Sequence, residues 1–202
     1  TLVPGEEPSW SNVRKGCETI LARAKALRVG LFLSVSMIQL EGYPGLAQGM
    51  TLLHGLVTTF WERLYPELDA EDPNPALERI NIIASMATPA DSYGDIIRFQ
   101  NRILESPITE SVQVGRYSLR QIEQAGKAPT GEAAKDFRGA TPALVEAAFQ
   151  DTPVEHLQNI AKAIATSKDK LNALDTFLTE KCGAGNSCDL GPLKKLLVQA
   201  ER

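Results

Sequence analysis

The sequence is poor in cysteine and histidine, with three cysteines and two histidines in 202 residues. An odd number of cysteines argues against the disulfide framework of a small secreted protein and fits a reducing compartment. Cys182 and Cys188 are near enough in sequence to close a small loop, but reduced thiols are the expected state in such a compartment.

Long hydrophobic segments and an excess of one charge are also missing. The longest apolar run, residues 29–40, is interrupted by Ser34, Ser36 and Gln39 and is shorter than the roughly 20 residues that a membrane-spanning helix requires. The net charge is −4, and acidic and basic residues are interspersed. Because nucleic-acid-binding surfaces concentrate lysine and arginine, we expect neither nucleic-acid binding nor a membrane span. No signal peptide is recognisable at the start of the chain.

Helical periodicity is the strongest pattern that is present. One stretch has apolar residues in alternating steps of four and three, typical of a core-facing helix. These residues are Leu46, Met50, Leu53, Val57, Phe60 and Leu64. Pro66 predicts that this helix ends near Tyr65. Asn74 and Pro75 are suited to the cap and first position of a second helix, so we expect an antiparallel pair.

The rest of the N-terminal part is predicted to be helical as well. Residues 1–8 are polar and contain two prolines, which indicates a linker or a cut end. Residues 29–41 are ambiguous because apolar residues alternate with serines as in a strand. The helices predicted on both sides, and the lack of a partner strand, favour a helix. Ser118 and Gln121 have the spacing of a capping box.

A second helical part is predicted at residues 141–202. It follows residues 126–140, a stretch without periodicity that is rich in Gly, Ala, Lys and Pro and that predicts a linker after an N-terminal domain at 9–125. Thr152 and Glu155 have capping-box spacing and are expected to open the longest helix of the chain. The predicted fold is therefore all-α, a multi-helix bundle of antiparallel helix pairs in two helical subdomains.

Neither histidine has neighbours that suggest catalysis. His54 lies on the central helix without a cysteine or an acidic residue three or four positions away, which favours a core or interface histidine over a metal ligand. His156 lies in the first turn of the long helix and is expected in solvent. Because phosphate-binding glycine loops, serine-nucleophile motifs and zinc-protease motifs are also absent, we predict no catalytic residue, metal ligand or cofactor, and no enzyme.

The sharpest acidic cluster is formed by Asp69, Glu71 and Asp72. An EF-hand loop counted from Asp69 places Asn74 where the loop needs glycine, so a calcium site of this type is excluded. The carboxylates are better suited to accept backbone N–H groups in a turn before the next helix, and Arg79 could pair with Asp69 or Asp72. A metal-dependent helical hydrolase that uses Asp69 and Asp72 is the alternative.

A series of motifs resembles the ImpA-type N-terminal domain of the TssA family, which belongs to the bacterial type VI secretion system. The residues that carry the resemblance are Trp10, Leu27, Arg28, Gly45, Leu46, Ala47, Gly49, Leu52, Leu53, Phe60, Trp61, Leu64, Pro66, Asp69, Asp72 and Arg79. The similarity is densest over residues 10–87 and continues through 115–122. The family often has Asp-Leu-Arg at the end of the first helix, and Ala26 replaces that Asp here.

The resemblance implies a non-enzymatic assembly component of the bacterial cytoplasm that contacts baseplate, tail tube and sheath proteins. Family members are longer and self-associate into rings through a C-terminal region that this chain is expected to lack. A sheath-capping or membrane-tethering relative with the same N-terminal domain is the alternative within this class. The motif residues are expected to build the core and its turn; Trp61 or the turn from Asp69 to Arg79 could instead face a partner. No other partner-binding residue is assigned.

Overall fold

A computed structural model describes residues 7–129 and 137–201. Within these two ranges it contains nine α-helices and no β-sheet, which confirms the all-α prediction. The helices are α1 (Trp10–Arg23), α2 (Leu27–Glu41), α3 (Tyr43–Phe60), α4 (Leu77–Ala84), α5 (Phe99–Glu105), α6 (Leu119–Ala125), α7 (Pro142–Asp151), α8 (Val154–Cys182) and α9 (Gly191–Glu201). None of these helices is long and apolar enough to cross a bilayer.

Helix α3 is the centre of the packing. Its predicted apolar stripe is buried at Leu46, Met50, Leu53 and Val57. The helix packs mainly against α2, which precedes it, and against the long helix α8. The predicted pairing of α3 with α4 is therefore not its main contact. Gly42, with φ of +63°, turns the chain sharply enough between α2 and α3 for these consecutive helices to fold against each other.

The C-terminal helices share the core of the N-terminal ones. Helix α8 has 29 residues and buries Leu171, Leu174 and Leu178, and α9 buries Leu193 and Leu197. These side chains belong to the same hydrophobic cluster as those of α2 and α3. The division into subdomains at 9–125 and 141–202 stays a prediction. Most of the predicted terminal segment and the central part of the predicted linker, residues 1–6 and 130–136, lie outside the described residues.

Two predicted helix caps are wrong. Helix α4 begins at Leu77 with Ala76 at the cap position, because the Leu77 N–H donates to the Asn74 carbonyl at 3.0 Å and closes a turn there. The Thr152 hydroxyl donates to the Ala148 carbonyl of the preceding helix at 2.6 Å, so α8 begins without a side-chain cap.

Other local predictions are confirmed. The Ser118 N–H donates to Gln121 Oε1 at 2.9 Å, and the Gln121 N–H donates to Ser118 Oγ at 3.4 Å, which completes the capping box of α6. The ambiguous residues 29–41 are helical and belong to α2.

Candidate functional site

The glycines of the family-like motif lie where α2 and α3 approach each other. A Cβ atom on Gly49 would lie 2.7 Å from Ser34 Cβ, and one on Gly45 would lie 2.0 Å from the Met37 carbonyl oxygen. The fully buried Ser34 hydroxyl donates to the Gly30 carbonyl at 2.9 Å and lies 3.1 Å from the Gly49 carbonyl oxygen. Only glycine permits this close helix contact.

Arg79, in α4, binds the turn that joins α3 to α4. The residue is only 1% exposed. Its Nε donates to the Pro66 carbonyl at 2.7 Å, and its terminal nitrogens donate to the carbonyls of Trp61 and Leu64. The Tyr65–Pro66 peptide bond within this turn is cis. The planar guanidinium group of Arg79 therefore donates hydrogen bonds to three carbonyls that are not bonded within a helix.

The predicted ion pair of Arg79 with Asp69 or Asp72 is wrong. Arg79 lies on the buried face of α4, beside Ile80 and Ile83, so its side chain enters the core. Burial lowers the pKa of Arg79, while the negative charge of Glu62 acts in the opposite direction. Because arginine keeps its charge in proteins, the three carbonyls face a charged donor.

Trp61 supports this turn from within the core. It is 7% exposed, and the guanidinium carbon of Arg79 lies 5.0 Å from the centre of its ring. The ring also meets Phe177 of α8 edge to face, with centroids 5.6 Å apart. Trp61 therefore joins the turn to α8, and the alternative that it is presented to a partner does not fit its burial.

The same turn is hydrogen-bonded to the junction between α1 and α2. The Leu27 N–H donates to the Tyr65 carbonyl at 2.8 Å, and the Tyr65 N–H donates to the Lys25 carbonyl at 2.8 Å. Leu27 is fully buried, whereas the neighbouring Arg28 is exposed. The Leu-Arg motif thus contributes one core residue and one surface residue.

Trp10 contributes to a separate contact at the start of α1. The guanidinium carbon of Arg102 in α5 lies 4.5 Å from the centre of its ring, and Trp10 Nε1 donates to Glu7 Oε2 at 3.2 Å. A cation over an indole ring is a favourable arrangement. Trp10 therefore joins α1 to α5.

Residues 65–75, which we call the acidic turn, contain four carboxylates and no lysine or arginine. Asp69 Oδ1 accepts the Glu71 N–H at 3.0 Å, and Asp72 Oδ1 accepts the Asn74 N–H at 2.7 Å. These bonds fix the backbone of the turn while most of its side chains face solvent. The exposed residues are Tyr65, Glu67, Asp69, Ala70, Glu71, Pro73 and Pro75.

The structure also gives the surroundings of both histidines. His54 is partly buried, and burial, followed by the charge of Lys170, lowers its pKa. The expectation that His156 is in solvent is wrong, because its Nε2 lies 3.1 Å from the Ile108 carbonyl oxygen and its Nδ1 lies 3.1 Å from Glu110 Oε2. These partners are more than 40 residues away in sequence and gave no local signal. Among the described residues, no group of three His, Cys, Asp or Glu could hold a metal ion.

Comparisons with known proteins agree with the resemblance found in the sequence. Residues 2–88 match the family model described as ImpA, N-terminal, type VI secretion system. The chain is also 29% identical, over 201 residues, to the type VI secretion system component TssA1 of Pseudomonas aeruginosa. That alignment covers 98% of this chain and 54% of the relative, so the chain spans about half the length of the curated protein.

A solved structure has the same fold. It is the N-terminal domain, including the conserved ImpA_N region, of the TssA component of the type VI secretion system from Burkholderia cenocepacia. The TM-score is 0.82 at 20% sequence identity, and the match covers 98% of this chain and 77% of that chain. The resemblance predicted from the sequence is confirmed.

Proposed function

We propose that this chain acts as a structural assembly module of the type VI secretion system. It is a TssA-family protein and thus a component of that system. In this proposal it contacts baseplate, tail tube and sheath proteins in the bacterial cytoplasm, presents the acidic turn to one of them and carries out no chemical step. The observation that carries the proposal is the buried Arg79, which donates to three carbonyls at the base of an exposed turn.

The distribution of buried and exposed motif residues supports a contact role. Trp61, Leu64 and Arg79 are buried and fix the base of the acidic turn. Glu67 and Glu71 lie on its exposed side. A backbone that is already ordered loses less conformational entropy when a partner binds, so such a surface is suited to recognition.

The charge of the acidic turn indicates the chemistry of its partner. It carries four carboxylates without a basic residue between Tyr65 and Pro75. Complementary surfaces pair opposite charges and thereby gain specificity and association rate. The proposed partner surface is therefore rich in lysine and arginine. Self-association, in the same proposal, belongs to a region of the full-length protein outside these 202 residues.

Capture experiments with the full-length protein test this function. Purified baseplate, tube and sheath subunits are each offered to the immobilised protein, and secretion is measured in a strain that lacks it. We expect capture of at least one subunit and loss of secretion. Failure to capture any subunit, together with intact secretion in the deletion strain, would reject the proposal.

A further inference from the structure

Four cations lie where the junction between α1 and α2 meets the segment that leads into the acidic turn. They are Arg23, Lys25, Arg28 and Arg63, which we call the basic cluster. Two backbone hydrogen bonds of 2.8 Å join Lys25 and Leu27 to Tyr65. Arg28 follows Leu27 directly, and Arg63 lies two residues before Tyr65. These bonds therefore bring cations from two distant segments of the chain together.

The basic cluster has no carboxylate partner. Within the part of the chain that the structure describes, none of its cations lies within ion-pair distance of a carboxylate. No acidic residue occurs between Glu18 and Glu41. The carboxylates nearest in sequence bind other cations, since Glu18 and Glu41 pair with Arg14 and Glu62 pairs with Lys181. The positive charge of the cluster is thus left for another molecule.

Helix electrostatics explains only part of this cluster. Arg23 lies in the last turn of α1, and Lys25 Nζ donates to the Leu21 carbonyl at 2.6 Å, where the negative end of the helix favours a cation. Arg28 is the second residue of α2, where the positive end of a helix disfavours a cation. The Arg28 side chain is also exposed and is not needed for packing. Its charge therefore indicates a contact outside the fold.

Aromatic rings lie among these cations. Lys25 Nζ lies 5.5 Å from the centre of the Phe60 ring, and Tyr65 is 51% exposed. Tyrosine and arginine are enriched at protein interfaces and among the residues that contribute most of the binding energy there. The composition of this surface is thus typical of a protein contact.

We propose that the basic cluster binds a short acidic segment of a partner protein. Its guanidinium groups can each donate two parallel N–H bonds to one carboxylate, which gives strength and orientation. The acidic turn limits the length of the occupant, because the exposed Glu67 follows Tyr65 by only two residues. A nucleic acid or an anionic membrane would extend over the acidic turn and be repelled, since charges interact over about 8 Å at physiological ionic strength. A short run of Asp or Glu avoids this repulsion.

Peptide titration of the 202-residue protein tests the inference without any secretion protein. The probes are an acetylated, amidated hexaglutamate peptide and the hexaglutamine peptide of the same length, followed by calorimetry and by NMR shifts of the Arg28 and Arg63 side chains. We expect saturable binding of hexaglutamate with shifts at both residues, and at least about fivefold weaker binding of hexaglutamine, because exposed charge pairs contribute on this scale. Absence of saturable binding, or equal binding of both peptides, would overturn the proposal.

Two further probes separate a protein occupant from other polyanions. A duplex DNA of 12 base pairs and vesicles that contain phosphatidylglycerol are titrated at the same salt concentration. We expect both to bind at least about fivefold more weakly than hexaglutamate, because the acidic turn repels an extended anion. Tighter binding of the DNA or of the vesicles would reject a protein segment as the occupant.

Charge variants locate the binding. Arg28→Glu and Arg63→Glu each reverse one charge of the basic cluster, and we expect each to weaken hexaglutamate binding at least about fivefold. Lys162→Glu makes the same change at an exposed position of α8, about 22 Å along that helix from Phe177, and should leave binding within about twofold. A glutamate in the first turn of a helix is favourable, so Arg28→Glu should melt no lower than wild type. Equal effects of the three variants on binding would place the peptide elsewhere and reject the assignment.

Discussion

Three carbonyl oxygens of the turn between α3 and α4 face a single guanidinium group, that of Arg79. A turn of this kind has no repeating hydrogen bonds, so its carbonyls need donors from elsewhere when water is excluded. Arg79 supplies them from α4 and stacks on Trp61 at the same time. At the scale of single residues, the shape of the turn thus depends on one side chain.

Replacement of Arg79 by lysine tests this dependence. An ammonium group keeps the charge but cannot form the planar set of donors or stack on the indole ring. We expect Arg79→Lys to lower the free energy of unfolding by about 2–3 kcal/mol, measured by urea denaturation. The matched control is Arg28→Lys at an exposed position of the same motif, expected to stay within about 0.5 kcal/mol of wild type. Equal stability of both variants would show that the guanidinium fork is not needed.

The sequence identified Arg79 as important but assigned it the wrong partner. Opposite charges nearby suggested Asp69 or Asp72, yet both carboxylates bind backbone N–H groups of their own turn. The face of α4 that enters the core is determined by packing against distant helices, which a local pattern does not contain. The same limit applies to His156, whose partner Glu110 lies 46 positions earlier in the chain.

At the scale of helices, α2 and α3 touch through Gly45 and Gly49. We expect Gly49→Ala to lower the free energy of unfolding by about 1–3 kcal/mol, because the added methyl group overlaps Ser34. Gly55→Ala on the same helix has no atom within 4 Å of the added Cβ and is expected to raise stability by about 0.5–1 kcal/mol. The measurement is urea denaturation of both variants beside wild type. The same sign of change in both variants would contradict the close contact.

The loop after α5 is held against the corner between α7 and α8. Asp151 Oδ2 accepts the Ser111 hydroxyl at 2.7 Å and the N–H groups of Val112 and Gln113 at 3.1 and 3.2 Å. The bond from Ser111, followed by the backbone bonds, lowers the pKa of Asp151 below its ordinary 3.8. Folding therefore favours the ionised form. The resulting stability is present above about pH 4 and is lost as the pH falls through the lowered pKa.

Asp151→Asn is expected to be less stable than wild type at pH 7, and the difference should shrink as the pH falls below about 4. Urea denaturation at pH 7, 5 and 3 measures this difference. Asp169→Asn, at an exposed position of α8, is the control and should show no such convergence. A constant gap between Asp151→Asn and wild type at all three pH values would contradict the role of the ionised carboxylate.

The sequence predicted where helices exist better than it predicted which helices pack together and which residues cap them. Apolar periodicity located α3, because a repeat near 3.6 residues marks a buried face, whereas α2 was assigned as a helix from the helices predicted on both sides of it. It did not show that α3 packs against α8, since contacts between helices far apart in sequence leave no local trace. The capping pattern succeeded at Ser118 and failed at Thr152, whose hydroxyl is already bound to the preceding helix.

At the scale of the whole molecule, one hydrophobic cluster connects helices from both halves of the described chain. The core fixes the base of the acidic turn through Trp61, which meets Phe177 of α8. We propose that this core holds the acidic turn rigid as a surface for contact with another protein.

Charge reversal on the acidic turn tests whether this surface binds a partner protein. Full-length protein with Glu67→Lys and Glu71→Lys is compared with wild type and with a control that carries Glu155→Lys and Glu180→Lys, two exposed positions of α8 with the same change in net charge. We expect the turn variant to bind its captured secretion subunit at least about tenfold more weakly, because like charges at an interface repel. The control should bind as wild type does, and both should melt at nearly the wild-type temperature. Wild-type binding by the turn variant would show that the acidic turn does not contact the subunit.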